Sequence, residues 1–277
     1  MYNAKSHRKI IVVMVALLYA TPLFAQFDFP SFGGRGAAMG GASVALDDEV
    51  SAMYNISALN GIESAAVAIS ARQSFVVDGM GVFSLGGIVP LGFGSMAATV
   101  EHFGDNDYNE QRVSLAYALP LGRTMSFGVA FHYMHSGTSD PYYEPLNRLT
   151  FSTALRFRPS DDFTVAFKAF NPSAGMSDSE LSLRIPAVFS LGVSYRIIDE
   201  LLAVGEVEKN LYEPSTLRFG LEYLLQEGWF IRVGVNTRPA IYTFGLGLRQ
   251  GRFGADLAAQ FHNVLGLTPQ LSLQYRF

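Results

Sequence analysis

The sequence predicts an all-β chain, a transmembrane antiparallel β-barrel of about fourteen strands with a small amino-terminal plug, and three observations point there. The last seven residues, Leu271-Ser272-Leu273-Gln274-Tyr275-Arg276-Phe277, alternate strictly between apolar and polar. That sets Leu271, Leu273, Tyr275 and Phe277 on one face and Ser272, Gln274 and Arg276 on the other, which suits a strand between lipid and a wet lumen. At the other end, Lys5, Arg8 and Lys9 precede an apolar run over residues 10–20 and a segment closing on Leu23-Phe24-Ala25, the layout of a secretory signal peptide cleaved after Ala25. The run has about eleven residues where a membrane-spanning helix needs about 20, and no later stretch of that length lacks polar residues. A membrane chain with this sequence therefore crosses as strands. Third, the composition is intermediate: 49% hydrophobic and 13% aromatic, with 27 glycines. This is too apolar for an ordinary soluble chain and too polar for a helix bundle in lipid, and it is rich in residues of tight turns and aromatic girdles.

The implied layout is a signal peptide over 1–25, a plug or hatch over 26–62 and a barrel over 63–277. A formal net charge of −4 without any Lys/Arg cluster points away from nucleic acid. The absence of cysteine removes a lipid anchor, disulfides and thiolate metal sites. No cofactor motif is present.

The plug segment begins with Gly33-Gly34-Arg35-Gly36-Ala37-Ala38-Met39-Gly40-Gly41-Ala42. Its glycine spacing is wrong for a dinucleotide fingerprint and no βαβ unit surrounds it; residues this small suit backbone packed closely against a barrel wall. From Ser43 the pattern reads as a short strand, an acidic stretch Asp47-Asp48-Glu49, and one or two helical turns ending at Tyr54-Asn55. Asp47 or Asp48 is placed to cap those turns, because a carboxylate there accepts otherwise unpaired N–H groups.

Strand-like segments follow at 64–75, 80–90, 94–103, 109–119, 124–136, 148–158, 163–171, 186–197, 201–209, 215–225, 229–236, 240–249, 253–261 and 270–277, separated by turn signals. An even number returns both ends to one side, as in single-chain bacterial barrels. Every second link is tight, at 90–93, 120–123, 159–162, 198–200, 226–228 and 250–252, which assigns those turns to the periplasm. The longer links, 137–147, 172–185 and 262–269, then face outward. Aromatic placement agrees: Tyr117, Phe157, Tyr195, Tyr223 and Tyr275 end descending strands, and Phe163, Trp229 and Phe253 begin ascending ones, forming a ring at the inner interface.

Between the rings the outward positions are apolar, as in Val113 and Leu115, Leu149, Phe151 and Leu155, Leu217, Phe219 and Leu221, and Ile231, Val233 and Val235. The inward positions carry charge of both signs: Glu101, Arg112, Arg156, Lys168, Arg196, Glu206, Glu208, Arg218, Glu222, Arg232, Arg249, Asp256 and Arg276. Such interleaving permits cross-strand ion pairs that hold the barrel shut, in preference to a selective aqueous channel. No inward stretch reads as an apolar tunnel.

The segments Arg35-Gly36-Ala37-Ala38-Met39-Gly40-Gly41-Ala42, Val44-Ala45-Leu46-Asp47-Asp48 and Ser51-Ala52-Met53-Tyr54-Asn55 resemble the amino-terminal signature of the PorV/PorQ family, part of the wider FadL-like group of fourteen-stranded outer-membrane barrels. Residues 217–223, 231–235, 243–248 and 256–258, with His262 and Leu265-Gly266, are similar to that family's closing strands. The family carries Asn-Pro-Ala where this chain has Asn55-Ile56-Ser57, so the proline that ends the plug helix is missing. The resemblance implies a scaffold or component of type IX protein secretion or surface attachment, with other secretion or envelope proteins as partners. The alternative it leaves open is a FadL-like channel for small hydrophobic molecules, marked by a lateral opening and an apolar pocket. On either reading the chain contacts outer-membrane lipid, and Tyr275 and Phe277 form the carboxy-terminal signal read by the barrel assembly machinery. An enzyme is not expected: His132 and His135 differ in strand parity, His262 suits a loop hydrogen bond, and no H-E-x-x-H or G-x-S-x-G occurs. The outer segment 140–145, with Tyr142 and Tyr143 between acids and prolines, reads as an ordinary rigid loop in preference to a partner contact.

Overall fold

In the computed structural model, which describes residues 32–176 and 185–277, the alternating segments become fourteen strands: β1 (Ala66–Gln73), β2 (Gly81–Leu91), β3 (Gly94–Gly104), β4 (Tyr108–Leu121), β5 (Met125–Thr138), β6 (Leu146–Ser160), β7 (Phe163–Phe170), β8 (Val188–Ile198), β9 (Leu201–Asn210), β10 (Thr216–Gln226), β11 (Trp229–Thr237), β12 (Ala240–Gln250), β13 (Phe253–His262) and β14 (Gly266–Arg276). Each pairs antiparallel with its sequence neighbours, and β1 pairs with β14 to close the barrel. Closure leaves no edge strand whose N–H and C=O groups would face lipid unpaired. The expected signal peptide lies outside the described residues.

The two-residue period decides which way each side chain points. On β14, Thr268, Gln270, Ser272 and Gln274 are buried in the lumen while Leu271 and Leu273 stand exposed on the outer wall. The inner aromatic ring forms as expected, with Phe253 4.8 Å from Tyr275, Tyr275 5.0 Å from Phe277, and Phe163 6.4 Å from Tyr195 between ring centroids. Leu221 sits mid-strand on the outer face, opposite Val233 and Ala203. Leu221→Arg is therefore expected to cost about 2–4 kcal/mol of stability in lipid, read by urea unfolding in vesicles; a silent substitution would reverse the face assignment.

Two expectations change. The last strand starts at Gly266 and not near 270, so the predicted loop over 262–269 shrinks to residues 263–265. The ring nitrogen of Pro269 points toward β1, as the Phe277 N–H donated to Ala65 shows for residues of the same parity. The missing donor ends only the β1 ladder, at Arg72–Gln270, while pairing with β13 runs on to Gly266. In the hatch, residues 43–46 form a turn and not a strand. Their N–H groups have a better acceptor than a neighbouring strand: Glu206 Oε2 accepts from Ser43 N at 2.8 Å and from Val44 N at 2.9 Å.

The hatch enters the barrel as two short helices, α1 (Gly34–Ala38) and α2 (Glu49–Tyr54), and a 3-10 turn (Ile56–Gly61). Asp48 caps α2, accepting from Val50 and Ser51. Asn55 ends α2 by donating to the Val44 carbonyl and accepting from Ser57.

Candidate functional site: the hatch and the lumen

The two sides of the hatch meet different walls. Phe32, Val50, Met53, Ile56, Leu59 and Ile62 pack into one apolar core with inward alanines of β1 and of β3 to β6, namely Ala68, Ala97, Ala116, Ala118, Ala130 and Ala154. Small wall residues leave room for large hatch residues, and burying the latter supplies the apolar part of docking.

Across the lumen the wall is glycine. Gly220 and Gly234 are directly paired between β10 and β11, and Gly245 lies on β12. A Cβ at Gly220 would fall 2.5 Å from Met39 Cβ, at Gly234 2.2 Å from Gly40 N, and at Gly245 2.3 Å from Ala38 Cβ. The fit is reciprocal, because Gly40 has a φ of +71° and a Cβ there would fall 2.6 Å from the Val235 carbonyl oxygen and 2.8 Å from that of Phe219. Around this close approach, Thr243 accepts from Gly40 N and donates to Ala38 O, Ser272 accepts from Gly34 N, and Gln260 donates to Ala37 O.

Ion pairs lock the same side. Arg35 donates through Nε and Nη2 to the two oxygens of Glu222 at 2.8 and 2.6 Å, and through Nη1 to Asp48 at 2.7 Å. Glu222 also accepts from Arg232, which donates to Asp256, which in turn accepts a bidentate pair from Arg249. This continuous chain ties the α2 cap to β10, β11, β12 and β13. A second group joins Arg218 to Glu206 and Glu208, with Glu206 also holding the 43–44 turn. Glu101 pairs with Arg112, and Arg276 pairs with Glu49 of the hatch at 2.8 Å. Of the charges expected in the lumen lattice, Arg196 departs: it stands exposed at the periplasmic rim, 3.8 Å from Asp162, because β8 ends there. Arg156 is inward and buried, and the one carboxylate it meets among the described residues is Asp47, at 3.6 Å.

Asp48 shows how strongly the hatch is held. Burial alone would raise its pKa, but the charges of Arg35 and Arg249 and a hydrogen bond from Ser51 outweigh that and hold the carboxyl well below the usual range. Arg35 is pushed the other way, above its ordinary value, since Glu222 and Asp48 outweigh its desolvation. A carboxylate with a depressed folded pKa contributes stability that is complete above its unfolded value, near 4, and is lost as pH falls toward the folded value. Hatch docking is thus expected to hold down to about pH 4 and weaken progressively below it. Proteolysis of the hatch against pH reads this, and Asp48→Asn should flatten the acid limb.

Above the hatch lies a feature that the sequence reading excluded. Val82, Met134 and Ile185, with Phe103, Leu146 and Phe170, form an apolar cluster inside the outer end of the lumen. Its floor is polar: the His132 ring, 5.4 Å from Phe170, is held between Ser114 Oγ and Ser152 Oγ at 2.8 and 2.7 Å. Lys168 Nζ sits 3.3 Å from the centre of the Tyr54 ring of the hatch. Each strand gives this cluster one residue, so no single segment signals it.

The structure does not assemble the histidines. His135 bonds Asn147 on the outer surface, and His262 Nδ1 accepts from Val264 N and Leu265 N as a loop residue. Among the described residues no group of three or more His, Asp or Glu could hold a metal.

A closed fourteen-stranded meander, apolar outside and occupied by its own amino-terminal hatch, defines an outer-membrane β-barrel of FadL-like fold. Solved structures share it. The chain is similar to a TodX mutant described as a monoaromatic hydrocarbon channel (TM-score 0.70, 9% identity, 91% of this chain and 100% of that one). It is also similar to the toluene transporter TbuX of Ralstonia pickettii (0.67, 11%, 91% and 100%) and to a FadL homologue of Pseudomonas aeruginosa (0.66, 13%, 90% and 99%). At these identities the likeness is one of fold. No family model and no curated protein matches the sequence.

Proposed function

We propose that this barrel admits small hydrophobic molecules across the outer membrane, entering at the apolar cluster of the outer lumen and passing the hatch. The carrying observation is that cluster. Val82, Phe103, Met134, Leu146 and Phe170 turn inward on five strands to meet Ile185. Contact with lipid does not call for apolar residues there, and unlike the apolar core beneath it, this cluster is not built around hatch side chains. An apolar patch at the outer end gives a hydrophobic solute somewhere to leave water. The fold shared with proteins described as hydrocarbon channels and toluene transporters supports the same reading. The type IX scaffold that the PorV/PorQ resemblance implies has less behind it: four of the outer links, 105–107, 211–215, 238–239 and 263–265, have two to five residues, and the longer surface is confined to 74–80, 139–145 and 171–187.

The test is entry of radiolabelled toluene into cells whose outer membrane carries this protein, compared with cells carrying a Phe103→Asp variant and with cells lacking it. Uptake that depends on the protein and falls in the variant, with the barrel still heat-resistant in gels, is the expected result. Uptake equal in all three, with secretion proteins recovered on the tagged barrel, would transfer the chain to the scaffold reading.

A further inference from the structure

Beneath the hatch, Arg156 and Arg158 stand two residues apart on the inner face of β6, close to its periplasmic end. Arg156 is a buried cation. Its side chain is 6% exposed, and its Nε and Nη2 are enclosed without a hydrogen-bond acceptor among the described residues, as is the Nε of Arg158. Asp47 is the carboxylate set between the two. It lies 3.6 Å from Arg156 Nη2, 3.9 Å from Arg158 Nη1 and 3.9 Å from Arg35 Nη1, each beyond hydrogen-bond length, and its side chain is 41% exposed.

The neighbouring Asp48 shows what a committed partner looks like here: 2.7 Å from Arg35 and almost fully buried. The other acids at this rim engage the outer side of the pair. Arg158 Nη2 meets the fully exposed Asp161 carboxylate at 3.4 Å and donates to the Asp161 carbonyl at 3.4 Å, and Asp162 is 3.8 Å from Arg196. Two guanidinium groups on one face, with inward N–H groups unused, match an oxyanion that can accept several hydrogen bonds at once. Asp47 occupies that position from too far away to satisfy them.

We propose that Arg156 and Arg158 form an oxyanion site open to the periplasmic side, which takes a carboxylate or phosphate group from solution in competition with Asp47 of the hatch. Arg156 lies inside the barrel wall, so the phosphate of a membrane lipid does not reach it. Occupancy releases Asp47, which lies between the turn held by Glu206 and the cap of α2, and so couples a periplasmic anion to the hatch. The site does not depend on what the outer lumen transports.

The test is calorimetric titration of the purified barrel, in detergent free of phospholipid, with inorganic phosphate and separately with acetate, ionic strength held constant by sodium chloride. Saturable binding is expected, tightened about tenfold by Asp47→Asn, equivalent to about 1.4 kcal/mol, and abolished by Arg156→Gln. Added phosphatidylglycerol should not compete. Should Arg156→Gln fail to fold, the more exposed Arg158→Gln carries the test and is expected to weaken binding with heat-resistant mobility unchanged. A response that follows ionic strength alone, an affinity untouched by Asp47→Asn, wild-type binding by Arg158→Gln, or competition by the lipid would each overturn the proposal.

Discussion

Gly234→Val is expected to expel the hatch while leaving the barrel standing. A Cβ at Gly234 would lie 2.2 Å from Gly40 N, 2.4 Å from the Met39 carbonyl carbon and 2.7 Å from Thr243 Oγ1. Two of these neighbours are backbone, and Gly40 is itself wedged against the Val235 carbonyl. Overpacking usually costs about 1–3 kcal/mol because side chains can shift; here main chain meets main chain, so the cost should reach about 3 kcal/mol or more. Nothing on the lipid face changes, and β10, β11 and β12 keep their ladders. Limited proteolysis separates the two parts: cleavage within residues 32–62 together with a barrel that still migrates as a folded band is the expected pattern. A protected hatch would mean that the close approach of Met39 and Gly40 to this wall is not what seats it.

Arg35→Met is the second large effect. The substitution removes a fork that serves Glu222 with two hydrogen bonds and Asp48 with one, all with side chains about one-tenth exposed or less. Leaving buried carboxylates without their cation costs about 3–5 kcal/mol. Glu222 retains Arg232, so the loss falls chiefly on Asp48 and the cap of α2. Adding Asp48→Asn should therefore recover part of the stability, and Arg35→Lys should not, since an ammonium cannot make the fork. By contrast, Arg276→Gln removes an arginine that is 40% exposed, and Glu49 keeps the hydrogen bond from Gln274, so it should cost less than Arg35→Met. Equal losses for Arg35→Met and Arg276→Gln, measured by hatch proteolysis in denaturant, would show that burial does not set the strength of these pairs.

The strands were readable because a barrel wall repeats one local rule. Alternation at 217–223 and 271–277, and aromatics such as Tyr223 and Tyr275 at strand ends, announce themselves within a single segment. The inward charges were readable for the same reason: Arg218, Glu222, Arg232 and Asp256 share the parity that puts them in the lumen. Their partners were not. Arg35 meets Glu222 across 187 residues of chain, and Glu206 satisfies the turn at Ser43 instead of only pairing across strands. The expected strand over 43–46 failed on that contact, and the expected start near 270 failed because Pro269 ends pairing only with β1, while pairing with β13 runs on to Gly266.

By itself, the sequence determined the class of wall, its strand order, and which face of each strand turns outward, because each follows from period and turn chemistry along a contiguous stretch. Only the tertiary structure decided how the hatch is seated and what the lumen brings together. The glycine cradle of Gly220, Gly234 and Gly245, the arginine pair beneath Asp47, and the apolar cluster of Val82, Phe103, Met134, Leu146, Phe170 and Ile185 each draw single residues from separate strands or links. Closing the sheet brings them to one place, and no local period records which positions a closed barrel sets at the same height.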